Sequence, residues 1–228
     1  MEHQTIYLKD YTPPAFAIEH VELTFDLYEE ATKVSSKMAI KRAHQTSDLV
    51  LNGEGLKLLS LLIDGEEWEY DLDEKSLTIK NPPDQFTLSI ENEINPVANT
   101  SLDGLYMSDG MFCTQNEPQG FRHITYFLDR PDVMTKYTTT VIADEKYPIL
   151  LSNGNLVKRG KKGNRHFAIW NDPFPKPTYL FALVAGDLGS IQDTFVTASG
   201  KKVDLVIYCE KGNEKCCYRN ASDKPLLR

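Results

Sequence analysis

No apolar run in this chain approaches the ~20 residues that a helix needs to cross a bilayer, so no membrane partner is expected. Cysteines are few. Cys113, Cys209, Cys216 and Cys217 include one adjacent pair and no C-x-x-C, which fits neither a zinc-ligand spacing nor a disulfide framework. Reduced thiols and a cytoplasmic location are expected instead. Positive charge is also short: the formal net charge is −8, with acids spread along the chain, and this excludes a nucleic-acid partner of the usual basic kind. The one basic run, Lys158-Arg159-Gly160-Lys161-Lys162, reads as a solvated hairpin loop beside Gly163. The stretch MEHQTIYLKDYTPP has no basic segment followed by an apolar one, so no signal peptide is expected. H-E-x-x-H, G-x-S-x-G, a P-loop and G-x-G-x-x-G are all missing. His3, His20, His44, His123 and His166 have no i, i+4 partner, so no metal site is expected. Helical periodicity and internal repeats are missing too.

What remains is strand patterning. Hydrophobic residues make up 41% and aromatics 10% of 228 residues, enough for a real core. Val21, Leu23, Phe25 and Leu27 alternate with polar residues, as do Val34, Ser36, Met38 and Ile40, so residues 19–42 read as a hairpin. Further strands are expected around residues 49–51, 56–63, 77–79 and 86–90, with a tight turn at Asp64-Gly65. Residues 137–142, 149–151, 166–170, 195–197 and 203–208 continue the series. Ser152-Asn153-Gly154-Asn155 reads as a hairpin turn, residues 172–177 (DPFPKP) as a proline-fixed loop, and residues 179–186 (YLFALVAG) as a buried central strand. Strands every 8–12 residues with Gly, Pro and Asn between them predict an all-β, multi-sheet sandwich. The pattern ends near residue 209. Residues 210–228 read as an irregular tail.

Residues 111–133, MFCTQNEPQGFRHITYFLDRPDV, concentrate the polar chemistry. Such a mixture is costly to bury unless each group finds a partner. Residues 114–120 hold the turn formers Asn116, Pro118 and Gly120 and read as a loop. Gln115 and Glu117 lie two apart, so an extended backbone turns both side chains the same way. Two acceptors aimed together suit an ammonium ligand; the plain alternative is a solvated loop with a turn-capping glutamate. His123 with Asp129 or Asp132 offers an acid/base pair, against a structural histidine beside a strand. Arg122 and Arg130 are expected to anchor carboxylates or carbonyls through their forked donors.

The block C-T-Q-x-E-x-x-G-F-R-H-I-T-Y-x-L-D-R-P-D-V, from Cys113 to Val133, resembles the N-terminal domain of the aminopeptidase N family of gluzincin zinc peptidases. Agreeing blocks are LTFDL at residues 23–27, NGE at 52–54, N-T-x-L-x-G-L-Y at 99–106, Y-P-x-L-L-S-N-G-N at 147–155 and D-P-F-P-K-P-x-Y-L-F-A-L-V-A-G-D at 172–187. The resemblance spans roughly residues 6–213. It implies a saddle-like β domain, residues 1–209, packed on a separate thermolysin-like catalytic domain. It also implies that Glu117 binds the free α-amino group of a peptide substrate and that Gln115 lines the same pocket. Family members often carry Cys where this chain has Asn116.

Zinc, its ligands and the catalytic glutamate belong to the family's catalytic domain and are expected beyond residue 228, so the chain alone is expected to be inactive. Resemblance stops after Cys217-Tyr218, and a reading-frame change near Tyr218–Arg219 is the expectation for the last ten residues. Three functional readings follow from the residues and the resemblance together. They are an aminopeptidase N fragment, a stand-alone β module that binds a peptide or partner protein, and an independent hydrolase built on His123.

Overall fold

The structure is a computed structural model that describes residues 7–44 and 48–214. The sequence expectations for residues 215–228, including the reading-frame change, lie outside the described residues. Strands dominate. They are β1 (Phe16–Asp26), β2 (Thr32–Arg42), β3 (Leu49–Asn52), β4 (Lys57–Ile63), β5 (Glu66–Glu67) and β6 (Tyr70–Leu72). Next come β7 (Ser76–Ile79), β8 (Gln85–Ile94), β9 (Gly104–Ser108), β10 (Met111–Gln115), β11 (Thr135–Asp144) and β12 (Ile149–Ser152). The series closes with β13 (Asn155–Lys162), β14 (Arg165–Lys176), β15 (Leu183–Gly186), β16 (Leu188–Val196) and β17 (Lys202–Glu210). Three 3-10 turns, Leu8–Asp10, Phe121–His123 and Thr178–Leu180, interrupt them. The all-β expectation holds.

The largest sheet runs β13-β14-β11-β1-β2-β8-β4-β5. Its β1–β11 pairing is parallel, and the other neighbours are antiparallel. Alternation gives it one buried face. Val21, Leu23 and Phe25 on β1, Val34, Met38 and Ile40 on β2, and Phe86, Leu88 and Ile90 on β8 all point into the core, because successive strand side chains face opposite ways. The four-stranded sheet β12-β15-β10-β9 and the three-stranded sheet β3-β7-β6 contribute Leu150, Leu183, Phe112, Leu105, Leu51 and Leu77 to the same buried cluster. Aromatic rings join the layers. Phe181 stacks on Phe25 at 5.8 Å between centroids and meets Phe121 edge-on at 5.3 Å. The pair β16–β17 forms a two-stranded sheet of its own, with Val196, Val206, Ile207 and Tyr208 exposed.

Asp64-Gly65 makes the expected tight turn, with φ of +50° and +92°. Five local expectations are corrected. Ser152-Asn153-Gly154-Asn155 does not close a hairpin: β12 pairs with β15, whereas β13 pairs with β14. It hands the chain from one sheet to another, held by Asn153, whose amide donates to Leu180 O and whose Oδ1 accepts from Ala182 N. The basic run 158–162 is not a loop but part of β13, an edge strand of the large sheet. Lysines on an edge discourage pairing with other chains, so charge there is compatible with strand. Residues 172–176 of the proline-rich segment belong to β14. The ladder to β13 ends at Asn171, and the ladder to β11 passes from Asp172 to Lys176, so Pro173 and Pro175 sit where no ladder donor is needed. Only residues 183–186 of YLFALVAG are strand; residues 178–180 turn as 3-10. Finally, Thr114 and Gln115 belong to β10 and not to the loop.

Phe181→Ala removes a ring in contact with Phe25, Phe121 and Tyr137. It is expected to cost about 3–5 kcal/mol, measured by urea unfolding. Far-UV circular dichroism of the parent chain should show a strand spectrum, and a helical one would contradict the fold.

Candidate functional site

The candidate loop leaves the end of β10, where Gln115 pairs with Gly104 of β9. Exposure alternates across residues 114–117, although the strand ends at Gln115 and Glu117 opens a turn. Asn116 is 3% exposed, whereas Gln115 and Glu117 are both exposed. The structure thus brings the two predicted side chains to the outer face of one short segment. Gln115 Nε2 donates to the Glu117 carbonyl at 3.3 Å, which leaves its amide oxygen as the acceptor. The Glu117 carboxylate has no hydrogen-bond or ion-pair partner among the described residues.

The loop is closed tightly behind these two. Gly120 N donates to Asn116 O at 2.9 Å. A Cβ on Gly120 would lie 2.3 Å from Gln115 O and 3.0 Å from Gly104 N, so only glycine permits this closure. Phe121 then plugs the loop into the core at 0% exposure, edge-on to Phe127 and Phe181.

Asp129, expected as a partner of His123, is the hub of a different network. Its Oδ2 accepts from Arg122 N at 3.2 Å and Arg122 Nε at 3.0 Å, and its Oδ1 accepts from Thr178 Oγ1 at 2.6 Å. Asn52 Oδ1 accepts from Asp129 N, while Asn52 and Phe127 exchange backbone hydrogen bonds. Burial and the Asp129 charge push the Tyr137 phenol well above its ordinary value. Asp132 is claimed by Arg130, whose Nε and Nη2 donate to it at 2.9 and 2.7 Å; these bonds hold its carboxyl below the usual range. His123 Nδ1 lies 3.2 Å from Glu54 O. The histidine is therefore structural, and no acid/base pair forms with either aspartate. Burial raises the Cys113 thiol, which makes it a poor nucleophile at neutral pH. Both arginines anchor carboxylates, as their chemistry led one to expect.

A family model described as the peptidase M1 N-terminal domain matches residues 12–180. The chain belongs to this family. It is 52% identical over 214 residues to aminopeptidase N of Caulobacter vibrioides and 51% identical to aminopeptidase N of Escherichia coli. Each match covers 92% of this chain and 25% of the relative. Among solved structures, aminopeptidase A of Legionella pneumophila in complex with aspartic acid superposes with a TM-score of 0.88 at 35% identity, covering 92% of this chain and 26% of that one. A mutant M1 zinc metallopeptidase from Deinococcus radiodurans, bound to a Tyr-Ser-Ala substrate, shares the fold with a TM-score of 0.76 at 16% identity, covering 87% of this chain and 48% of its own. This M1 domain spans about a quarter of the length of its aminopeptidase N relatives, and the family is one of metallopeptidases.

Asp129→Ala leaves Arg122 and Thr178 facing an empty, buried site. Loss of about 3–5 kcal/mol is expected, with Asp129→Asn costing less because it keeps an acceptor. Urea midpoints of the two variants check this.

Proposed function

We propose that this M1 domain is the substrate-amine-binding part of a zinc-dependent aminopeptidase that releases N-terminal amino acids from peptides. The observation that carries the reading is an exposed Glu117 carboxylate, unpartnered among the described residues, beside an exposed Gln115 at the end of β10, where the loop is braced from behind. Its relatives named aminopeptidase N support it. An aminopeptidase must tell a free N-terminus from an internal peptide bond. A carboxylate held at a fixed reach from the scissile carbonyl does so, because it pairs with the α-ammonium and sets the register of the first residue. Gln115 adds a neutral acceptor beside it.

Zinc, which polarises the carbonyl and activates water in such peptidases, would come with a catalytic domain joined to this one. The β domain would run through residue 209 and the catalytic portion would begin in the stretch from 210 onward. Cytoplasmic residence is part of the proposal, in keeping with the reduced thiol of Cys113. A second reading, a stand-alone module that binds a peptide or partner protein, draws on the exposed Val196, Val206, Ile207 and Tyr208 of the β16–β17 hairpin. A catalytic domain joined in sequence would cover such a surface equally well.

The 228-residue chain on its own is expected neither to bind zinc tightly nor to turn over an alanyl chromogenic substrate. Chelator-sensitive turnover in a preparation free of host peptidase would refute this. With a relative's catalytic portion joined after Asn213, Glu117→Ala should lower kcat/KM by roughly 30- to several-thousand-fold. That range corresponds to roughly 2–5 kcal/mol for breaking a desolvated charge pair. Gln115→Ala should cost only about 0.5–1.5 kcal/mol. Near-parental kcat/KM for Glu117→Ala, or a larger loss for Gln115→Ala, would show the amine-anchor assignment to be wrong.

A further inference from the structure

The backbone ladder between β10 and β15 is short: Phe112 pairs with Ala185 and Cys113 with Val184, and there it stops. The two chains nevertheless stay joined for three more residues, through side chains. Thr114 Oγ1 accepts from Leu183 N at 2.8 Å and lies 3.2 Å from Leu183 O, to which it donates. Asn116 Nδ2, in a residue 3% exposed, donates to Phe181 O at 2.7 Å. The opposite side of the same 180–183 segment is held in the same fashion. Ser152 Oγ donates to Ala182 O, and Asn153 bonds both Leu180 O and Ala182 N. Four polar side chains thus carry the sheet's lateral bonding past the end of its backbone ladder.

We infer that Thr114 and Asn116 are positioning residues for the Gln115–Glu117 site, an inference that rests on the amine-binding reading above. Thr114 is half-buried and Asn116 buried, whereas Gln115 and Glu117 are exposed, so the two pairs lie on opposite sides of the chain as it passes from strand into turn. Tying the first pair to Leu183 and Phe181 fixes the azimuth of the second. A glutamate on an untied loop would have to be ordered by the substrate itself, at a cost in affinity. Here the ordering is built in before the ligand arrives. Hydrogen bonds from side chains suit this position better than a longer ladder would, because they let the backbone leave the sheet plane while keeping its register.

Three measurements test the inference. First, Thr114→Val and Asn116→Ala are made in the 228-residue chain. Each should speed amide hydrogen exchange in residues 115–120 while β1, β2 and β11 keep parental protection; Asn116→Ser, which retains a hydroxyl donor, should be intermediate and serves if the alanine variant does not fold. Second, in the chain joined to a relative's catalytic portion, Asn116→Ala, which removes one hydrogen bond, should lower kcat/KM for an alanyl substrate by roughly 3- to 10-fold, and Thr114→Val, which removes two, by at least as much. Third, adding either substitution to Glu117→Ala should cause no further loss, because groups that act through one residue are not additive. Parental exchange in the loop, or losses that multiply in the double variants, would overturn the positioning role. Parental turnover of Glu117→Ala alone would instead overturn the amine-anchor reading, so the two failures are told apart.

Discussion

Phe181 is used twice, and the site depends on both uses. Its ring lies among Phe25, Phe121 and Tyr137, rings that come from the large sheet and from the turn that ends the candidate loop. Its carbonyl accepts the Asn116 amide. One residue therefore binds the loop to the core by dispersion at one end and by hydrogen bonding at the other. Burial of four aromatic rings supplies the larger energy, and the single hydrogen bond supplies the direction. Neither would do alone: a buried ring tolerates rotation about its own contacts, whereas a hydrogen bond to an unanchored carbonyl would move with it.

Much of the fold was legible because strand alternation is a strong signal where one face is wet. Residues 19–42 and 86–90 alternate and fold as strands, within Phe16–Asp26, Thr32–Arg42 and Gln85–Ile94, and Asp64-Gly65 turns as its residues predict. The misreadings share a cause. Residues 152–155 carry hairpin chemistry, yet the strands on either side belong to different sheets, and local turn residues hold no information about which strand is the partner. The run 158–162 carries the charge and neighbouring glycines of a solvated loop, yet on an edge strand charge and β structure coexist. In YLFALVAG the apolar run is continuous although only Phe181, Leu183 and Ala185 face the core and Leu180 lies exposed in a turn, and composition alone does not separate a buried strand from a partly exposed turn.

The site was legible in its outward half. Gln115 and Glu117 could be picked out by their spacing, and the structure exposes both. The inward half was not. Asn116 reads as a turn former, yet it is buried and donates to Phe181 O. The signal lay in the register itself: if 115 and 117 face out, then 114 and 116 face in, and polar residues facing in must find partners. Asp129 was paired in expectation with His123. Its partner is Arg122, the neighbour of that histidine, whose charge and five donors satisfy a buried carboxylate far better than an imidazole does.

The two carboxylates of this region differ in a way that separates a folding group from a candidate binding group. Asp129 is 2% exposed and accepts from Arg122 and Thr178, so its charge is already balanced within the domain and its removal acts on stability. Glu117 is exposed and unpartnered among the described residues, so its charge is hydrated and contributes little to folding. A hydrated carboxylate by itself signifies nothing, since surfaces are full of them. What distinguishes Glu117 is the frame: a closure that only Gly120 permits, a buried Phe121, and side-chain ties through Thr114 and Asn116 all converge on a segment whose own outward groups need none of them. Order of that kind has no purpose for the loop's own hydration. It would acquire one if the partner for the carboxylate arrived from outside the domain, and that is the physical basis of the proposal that this loop meets substrate.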